Sequence, residues 1–226
     1  MEIDPIVAIG ALSDPNRRAL YDYVVDRGEP VSRDVAAQAV GLSRANTAFH
    51  LERLVTDGLL ATEYRRLSGR VGPGAGRPAK LYRRADREIA VNLPPRGYDL
   101  AGQLLANAVT EASRSGDPVA SVVDRIARDH GAQLGAGRAN GRTSSRAAVA
   151  GMLADHGYEP QLVGGRIALR NCPFHALAES HRDLVCGMNL ALLEGVLQGA
   201  GADRLVAVPD PQPGSCCVTV ATRKEN

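Results

Sequence analysis

Between Val31 and Gly58 the chain carries starts and stops for two short helices almost back to back, which leaves little freedom in how that stretch folds. Ser32 is placed to cap a helix running through Val35, Ala36 and Ala39, and Gly41 ends it in a sharp turn. Two residues later Ser43 caps a second helix, with Ala48, Leu51, Leu54 and Val55 as its apolar stripe. On that reading Asn46, Thr47, His50 and Arg53 occupy the opposite, polar face. Gly58 closes the second helix. Upstream, apolar residues at helical spacing run from Asp4 to Asp26, broken at Ser13-Asp14-Pro15, where Ser13 or Asp14 caps and Pro15 enters the first turn.

Leu59–Tyr64 and Ala79–Tyr82 read as two strands joined by a Gly-, Pro- and Arg-rich loop, with Tyr64 as a strand core residue. Helix, tight turn, capped helix and basic hairpin in that order predict a winged helix-turn-helix, whose second helix enters the major groove of DNA. The overall charge is only +2, so affinity for a polyanion has to come from clustering. The segment Ala61–Ala90 supplies it, with eight basic residues against three acids. The residues expected to meet double-stranded DNA are Ser43, Arg44, Asn46, Thr47, His50 and Arg53 on the helix, and Arg70, Arg77 and Lys80 on the wing. Asn suits adenine edges, Arg suits guanine edges, and hydroxyls hold phosphates; Arg44 and Asn46 are the expected base readers. With 4% aromatic residues and no Trp, a platform that stacks single-stranded bases has little to be built from.

The tract Leu42-Ser43-Arg44-Ala45-Asn46-Thr47-Ala48-Phe49-His50-Leu51-Glu52-Arg53-Leu54, continuing to Gly58-Leu59-Leu60, resembles the recognition helix of ArsR-type (ArsR/DeoR-type) and SufR-like winged-helix repressors. Gly76-Arg77-Pro78-Ala79-Lys80-Leu81-Tyr82 resembles their wing. The similarity spans about residues 10–85 and implies bacterial transcription control.

Asn92-Leu93-Pro94-Pro95-Arg96-Gly97 has the composition of a linker, so the expected domains are 1–92, DNA-binding, and 93–226. In the second, Tyr98–Ser113 and Val119–Leu134 are amphipathic helices, Gly135–Gly141 reads as a loop, and Ser144–His156 as another helix. Strands follow at Tyr158–Val163 and Arg166–Arg170, turning at Gly164-Gly165, then a helix from about Asp183 to Gln198 and strands at Arg204–Val208 and Cys217–Ala221. The expected fold class is α+β: a winged helix-turn-helix, a helical dimerisation linker and a small α+β sensor domain.

All four cysteines, Cys172, Cys186, Cys216 and Cys217, fall in the last 55 residues with His175 and His181. The chain has no apolar run long enough for a membrane helix and no basic signal region at its start, so it is expected in the cytoplasm, where thiols stay reduced. Soft thiolates suit an iron–sulfur cluster. Two alternatives stand beside it: buried core thiols, and a zinc site from Cys172, His175, His181 and Cys186; either would leave a zinc-stabilised or metal-free winged-helix regulator that responds to a small ligand in its C-terminal domain. A thiol enzyme using Cys172 with His175 or His181 as base lacks an oxyanion-donating motif or orienting acid, so no enzyme is expected.

Asn171-Cys172-Pro173-Phe174-His175-x-Leu177-Ala178, with His181, Cys186, a Leu-rich helix and a terminal Cys-containing strand, is similar to the sensory domain of SufR-like regulators. That resemblance implies a homodimeric repressor of iron–sulfur assembly genes that binds a 4Fe-4S cluster through three cysteines. Carried onto this chain, the ligands are Cys172, Cys186 and a cysteine of the last strand. Cys216 is chosen because it would share a strand face with Val218 and Val220; Cys217 is the alternate, and His175 and His181 are candidates for a fourth ligand. The expected partners are an operator duplex and a second copy of the chain.

Overall fold

The computed structural model describes residues 4–66, 77–137 and 145–223. The chain divides into two compact units, Met1–Val91 and Asn92–Asn226. Each has its own apolar core.

In the first unit α1 (Pro5–Ala11) and α2 (Pro15–Arg27) precede β1 (Val31–Ser32), α3 (Arg33–Val40), α4 (Arg44–Thr56), β2 (Leu60–Arg65) and β3 (Ala79–Arg84). Capping side chains fix where the helices begin. Asp14 accepts from the Asn16 and Arg17 amides at 2.9 and 3.0 Å, Ser32 from Val35 and Ser43 from Asn46, both at 3.3 Å. Gly41, at φ 72°, takes the left-handed conformation that lets α3 stop and α4 start at an angle within three residues. Leu20, Val24, Ala36, Leu51, Leu54, Leu60 and Tyr82 make the core under an antiparallel sheet of order β1-β3-β2. Tyr64, expected in that core, is 64% exposed, because it lies near the end of β2, which runs from buried at Leu60 to exposed at Tyr64 and Arg65.

The second unit contains α5 (Tyr98–Ser115), α6 (Val119–Ala136), α7 (Arg146–Asp155), β4 (Pro160–Val163), β5 (Arg166–Leu169), α8 (His175–Ser180), α9 (Arg182–Gly199), β6 (Leu205–Pro209) and β7 (Val218–Thr222). Its sheet is antiparallel throughout, in the order β4-β5-β7-β6. Most of α9 is buried, including Val185, Met188, Ala191, Leu192, Leu193, Val196 and Leu197.

α6 and α9 meet backbone to backbone. Gly131 and Gly135 on α6, and Gly195 and Gly199 on α9, are each one turn apart on the face that touches the other helix. A methyl on Gly131 would drive into the Leu192 carbonyl oxygen, one on Gly195 into that of Arg128, and one on Gly199 into that of Ala132. The pairing Arg128 with Gly195 and Ala132 with Gly199 advances in the same direction along both helices, so they run parallel. An Arg128 to Glu194 ion pair at 2.6 Å flanks the contact. Gly135, expected to open a loop, is therefore inside α6. A glycine ordinarily weakens a helix, but here it is what the partner's backbone requires.

Gly131→Ala and Gly195→Ala should each lower stability by ~1–3 kcal/mol or more, as overpacking against an unyielding backbone does. Gly102→Ala, on α5 with nothing within 4 Å, should instead raise it by roughly 0.5–1 kcal/mol. Urea midpoints of the three variants check both signs.

Candidate functional site

The outer face of α4 is set by which residues the core claims. Thr47, His50, Leu51 and Leu54 point inward. Thr47 is wholly buried and His50 is 8% exposed, which corrects their expected place on the groove-facing side. The buried stripe is rotated from Ala48, Leu51, Leu54 and Val55 toward Thr47 and His50. Thr47 tolerates burial because its hydroxyl donates to the Ser43 carbonyl oxygen at 3.0 Å, one turn back. His50 lies within electrostatic reach of Asp14, the cap of α2.

What remains outside is Arg44, Ala45, Asn46, Phe49, Glu52 and Arg53. The face is not uniformly polar, since Phe49 is 67% exposed at its centre. Three expected DNA-contacting cations are paired within the unit. Arg44 grips Asp34 of α3 through two contacts at 2.7 and 2.5 Å, and Arg53 reaches Asp57 at 2.8 Å. Lys80 on β3 donates to Glu52 at 2.5 Å, where the Tyr82 hydroxyl also donates at 2.7 Å. The Arg44 guanidinium holds the Asp34 carboxyl below its ordinary value, and the hydrogen bond from Lys80 does the same for Glu52. Burial, then the adjacent Glu52 carboxylate, pushes the Tyr82 phenol up. The Glu52, Lys80 and Tyr82 clamp fastens the base of the hairpin to α4. Ser43 spends its hydroxyl on the helix cap. Arg77 is exposed just before β3, and Arg70 lies outside the described residues.

The second constellation is the thiols. Cys172 follows β5, Cys186 sits in the second turn of α9, and Cys216 and Cys217 precede β7. Cys172, Cys186 and Cys217 line one cleft of about 240 Å³, together with His175, Glu179, Arg182 and the turn Gln212–Ser215. His175 reaches Glu179 at 3.4 Å, whereas His181 is exposed at the junction of α8 and α9 and is not among the cleft's lining residues. Cys216 is 2% exposed and shares the buried face with Val218 and Val220. β7 begins only at Val218, but extended backbone already runs through the pair: the Cys216 amide donates to Leu169 at 2.8 Å and the Cys217 carbonyl accepts from Asp210 at 2.8 Å. Alternation along that segment sends Cys216 into the core and turns Cys217 to the cleft.

The four thiols are close enough to perturb one another's ionisation, Cys186 with Cys217, Cys217 with Cys216, and Cys216 with Cys172. The hydrogen bond from Cys216 lowers the Cys172 thiol below its ordinary value. Burial, then the neighbouring Cys217, pushes the Cys186 thiol up to about 12, and Cys216 rises to about 12 chiefly through its interaction with the Cys172 thiol. Cys217 is raised, first by its interaction with the Cys216 thiol and then by burial. Among the described residues no three of His, Cys, Asp and Glu form a group that could hold a metal ion. The cleft brings three soft thiols from three chain segments to one opening beside Arg182, a donor chemistry of the kind that iron–sulfur groups take.

Two buried amides organise this site, and sequence reasoning passed over both. Asn189 on α9 donates from Nδ2 to the Cys216 sulfur at 3.1 Å, while its Oδ1 accepts from the Tyr158 hydroxyl at 2.5 Å. Both ends of the buried amide are therefore partnered. Asn171 donates to the Pro95 and Gly157 carbonyls at 2.9 and 2.6 Å. Arg96 bonds the Asn171 Oδ1 at 2.7 Å and the Cys172 carbonyl at 2.9 Å, and the Gly97 amide donates to Pro173 at 3.0 Å. The segment Pro95–Gly97 is thus latched onto the loop that carries Cys172. An Asn flanked by Met188 and Leu190 in a mostly apolar helix was the available signal for the first amide, since a buried amide needs partners.

Residues 12–63 match the family model for a helix-turn-helix domain, a span that takes in α2, α3, α4 and the turn between the last two. Neither the curated proteins nor the solved structures give a significant match. The chain is a DNA-binding transcriptional regulator of the helix-turn-helix kind. None of the described helices is long and apolar enough to cross a membrane.

Asn46→Ala should weaken binding to a selected duplex by ~1–3 kcal/mol and relax the preference at one base pair. Thr47→Ala should lower the melting temperature and leave base preference unchanged. Binding-site selection and thermal melts of the two variants separate the roles.

Proposed function

We propose that residues 92–226 form a sensory unit that holds an iron–sulfur cluster of the 4Fe-4S kind through Cys172, Cys186 and Cys217, and that its loading governs DNA binding by the helix-turn-helix unit. The observation that carries this reading is the opening of those three thiols, remote in sequence, onto one cleft. The resemblance of Asn171–Ala178 to the SufR-like sensory domain supports the same ligands. His175, on the cleft wall, is the favoured fourth ligand over His181. Cys216 supports the set from behind. A bound cluster supplies redox and iron-responsive chemistry at the cleft.

The chain's own residues carry the signal onward. Cys172 is the ligand whose backbone Arg96 holds, and Arg96 lies two residues before α5. A shift of the Cys172 loop is therefore felt at Pro95–Gly97, the segment that leads back along the chain to the DNA-binding unit. We assign the chain as a homodimeric repressor acting on iron–sulfur assembly genes. Two copies on a two-fold operator would place their α4 helices in successive major grooves roughly 34 Å apart.

Anaerobic reconstitution followed by iron, sulfide and zinc analysis tests the ligand set. Cys172→Ser, Cys186→Ser and Cys217→Ser should each lose most of the iron and the visible absorbance, and Cys216→Ser should retain them. Full iron and sulfide in all three cleft variants sinks the assignment, and stoichiometric zinc without iron replaces the cluster by a zinc site. Arg96→Ala should keep its iron and sulfide while DNA affinity no longer differs between loaded and cluster-free protein, as read by fluorescence anisotropy.

A further inference from the structure

Phe49 has no role in the fold that accounts for its place. It is 67% exposed on the helix that the helix-turn-helix assignment puts against DNA, while polar Thr47 and His50 on the same helix are buried. On the outer face it is one turn from Ala45 and from Asn46, and one turn from Arg53 on the other side. Its ring meets the His50 ring edge-on, with centroids 5.3 Å apart, so it rests on a buried neighbour. The rim around it is charged: Arg44 beside Asp34 at the start of α4, Arg53 beside Asp57 at its end, and Lys80 on β3. An apolar ring inside a rim of ion pairs, whose basic members can exchange their carboxylates for phosphates, matches a major groove, where phosphates line both edges and the floor offers one apolar group, the C5 methyl of thymine.

We infer that Phe49 is a specificity-determining residue that reads a thymine methyl, with Ala45 as a second apolar contact, and that the operator carries thymine at that position. The inference rests on α4 as the DNA-contacting helix and goes beyond it by naming the base. Three residues advance ~4.5 Å along a helix, against 3.4 Å per base step, so this thymine lies about one to two base pairs from the adenine read by Asn46.

Duplexes are first selected from a random pool by the full-length protein and by Phe49→Ala. In the wild-type selection each thymine is then exchanged singly for uracil, which removes only the methyl group. At one or two positions the exchange should weaken wild-type binding about fourfold. The same exchange should leave Phe49→Ala indifferent, and that variant should select thymine there no longer. Phe49→Leu, which keeps an apolar contact, should retain part of the preference. If Phe49→Ala selects the same thymine with unchanged affinity, or uracil weakens both proteins equally, the assignment of Phe49 is overturned while α4 remains the reading helix. If neither protein enriches any sequence, the premise itself falls.

Discussion

The thiol cleft depends on a contact that contains no thiol. Because α6 and α9 touch through their backbones at Gly131, Gly135, Gly195 and Gly199, with no side chain between them, the position of α9 against α6 is closely set. Side chains could yield by changing rotamer, but carbonyl oxygens cannot. α9 carries Cys186 near one end and Asn189 a turn later, and both inherit that precision. The sheet provides the other wall, since Cys172 leaves β5 and Cys217 approaches β7. A helix locked by glycines against a neighbour, and a sheet packed on that helix, together bring three distant stretches of chain to one opening.

Buried polar groups give the site its direction. Asn189 is held between Tyr158 and Cys216, its Oδ1 accepting from the phenol and its Nδ2 donating to the sulfur. Asn171 and Arg96 tie the Cys172 loop to the residues just ahead of α5. Each buried amide is held by several partners, so moving one breaks more than one bond at a time, which favours a two-position response over a graded one.

Element identity was readable from local chemistry. Asp14, Ser32 and Ser43 cap, Gly41 turns, and Gly164-Gly165 joins two strands, because each depends only on neighbours along the chain. The rotation of α4 was not readable in the same way. Its sequence holds few large apolar residues, and Thr47 looks polar until the Ser43 carbonyl oxygen absorbs its hydroxyl. Gly135 was misread for a related reason: a glycine signals a loop unless another backbone occupies the space it leaves. The concentration of cysteines in one region was plain, but the alternation at Cys216 and Cys217 divides them between core and cleft only once β5 and β6 are in place. Arg96 to Asn171 spans most of a domain in sequence and leaves no local trace.

The ion pairs of the first unit bear on how such a protein searches a genome. Arg44, Arg53 and Lys80 are each already matched to a carboxylate of their own chain. Random duplex must displace those carboxylates to gain phosphate contacts from these three side chains, so each adds less to indiscriminate adhesion than a free cation would. The exchange is repaid most fully where base edges add their own contacts, so the same pairs that hold the unit together also sharpen the difference between a matched site and an unmatched one.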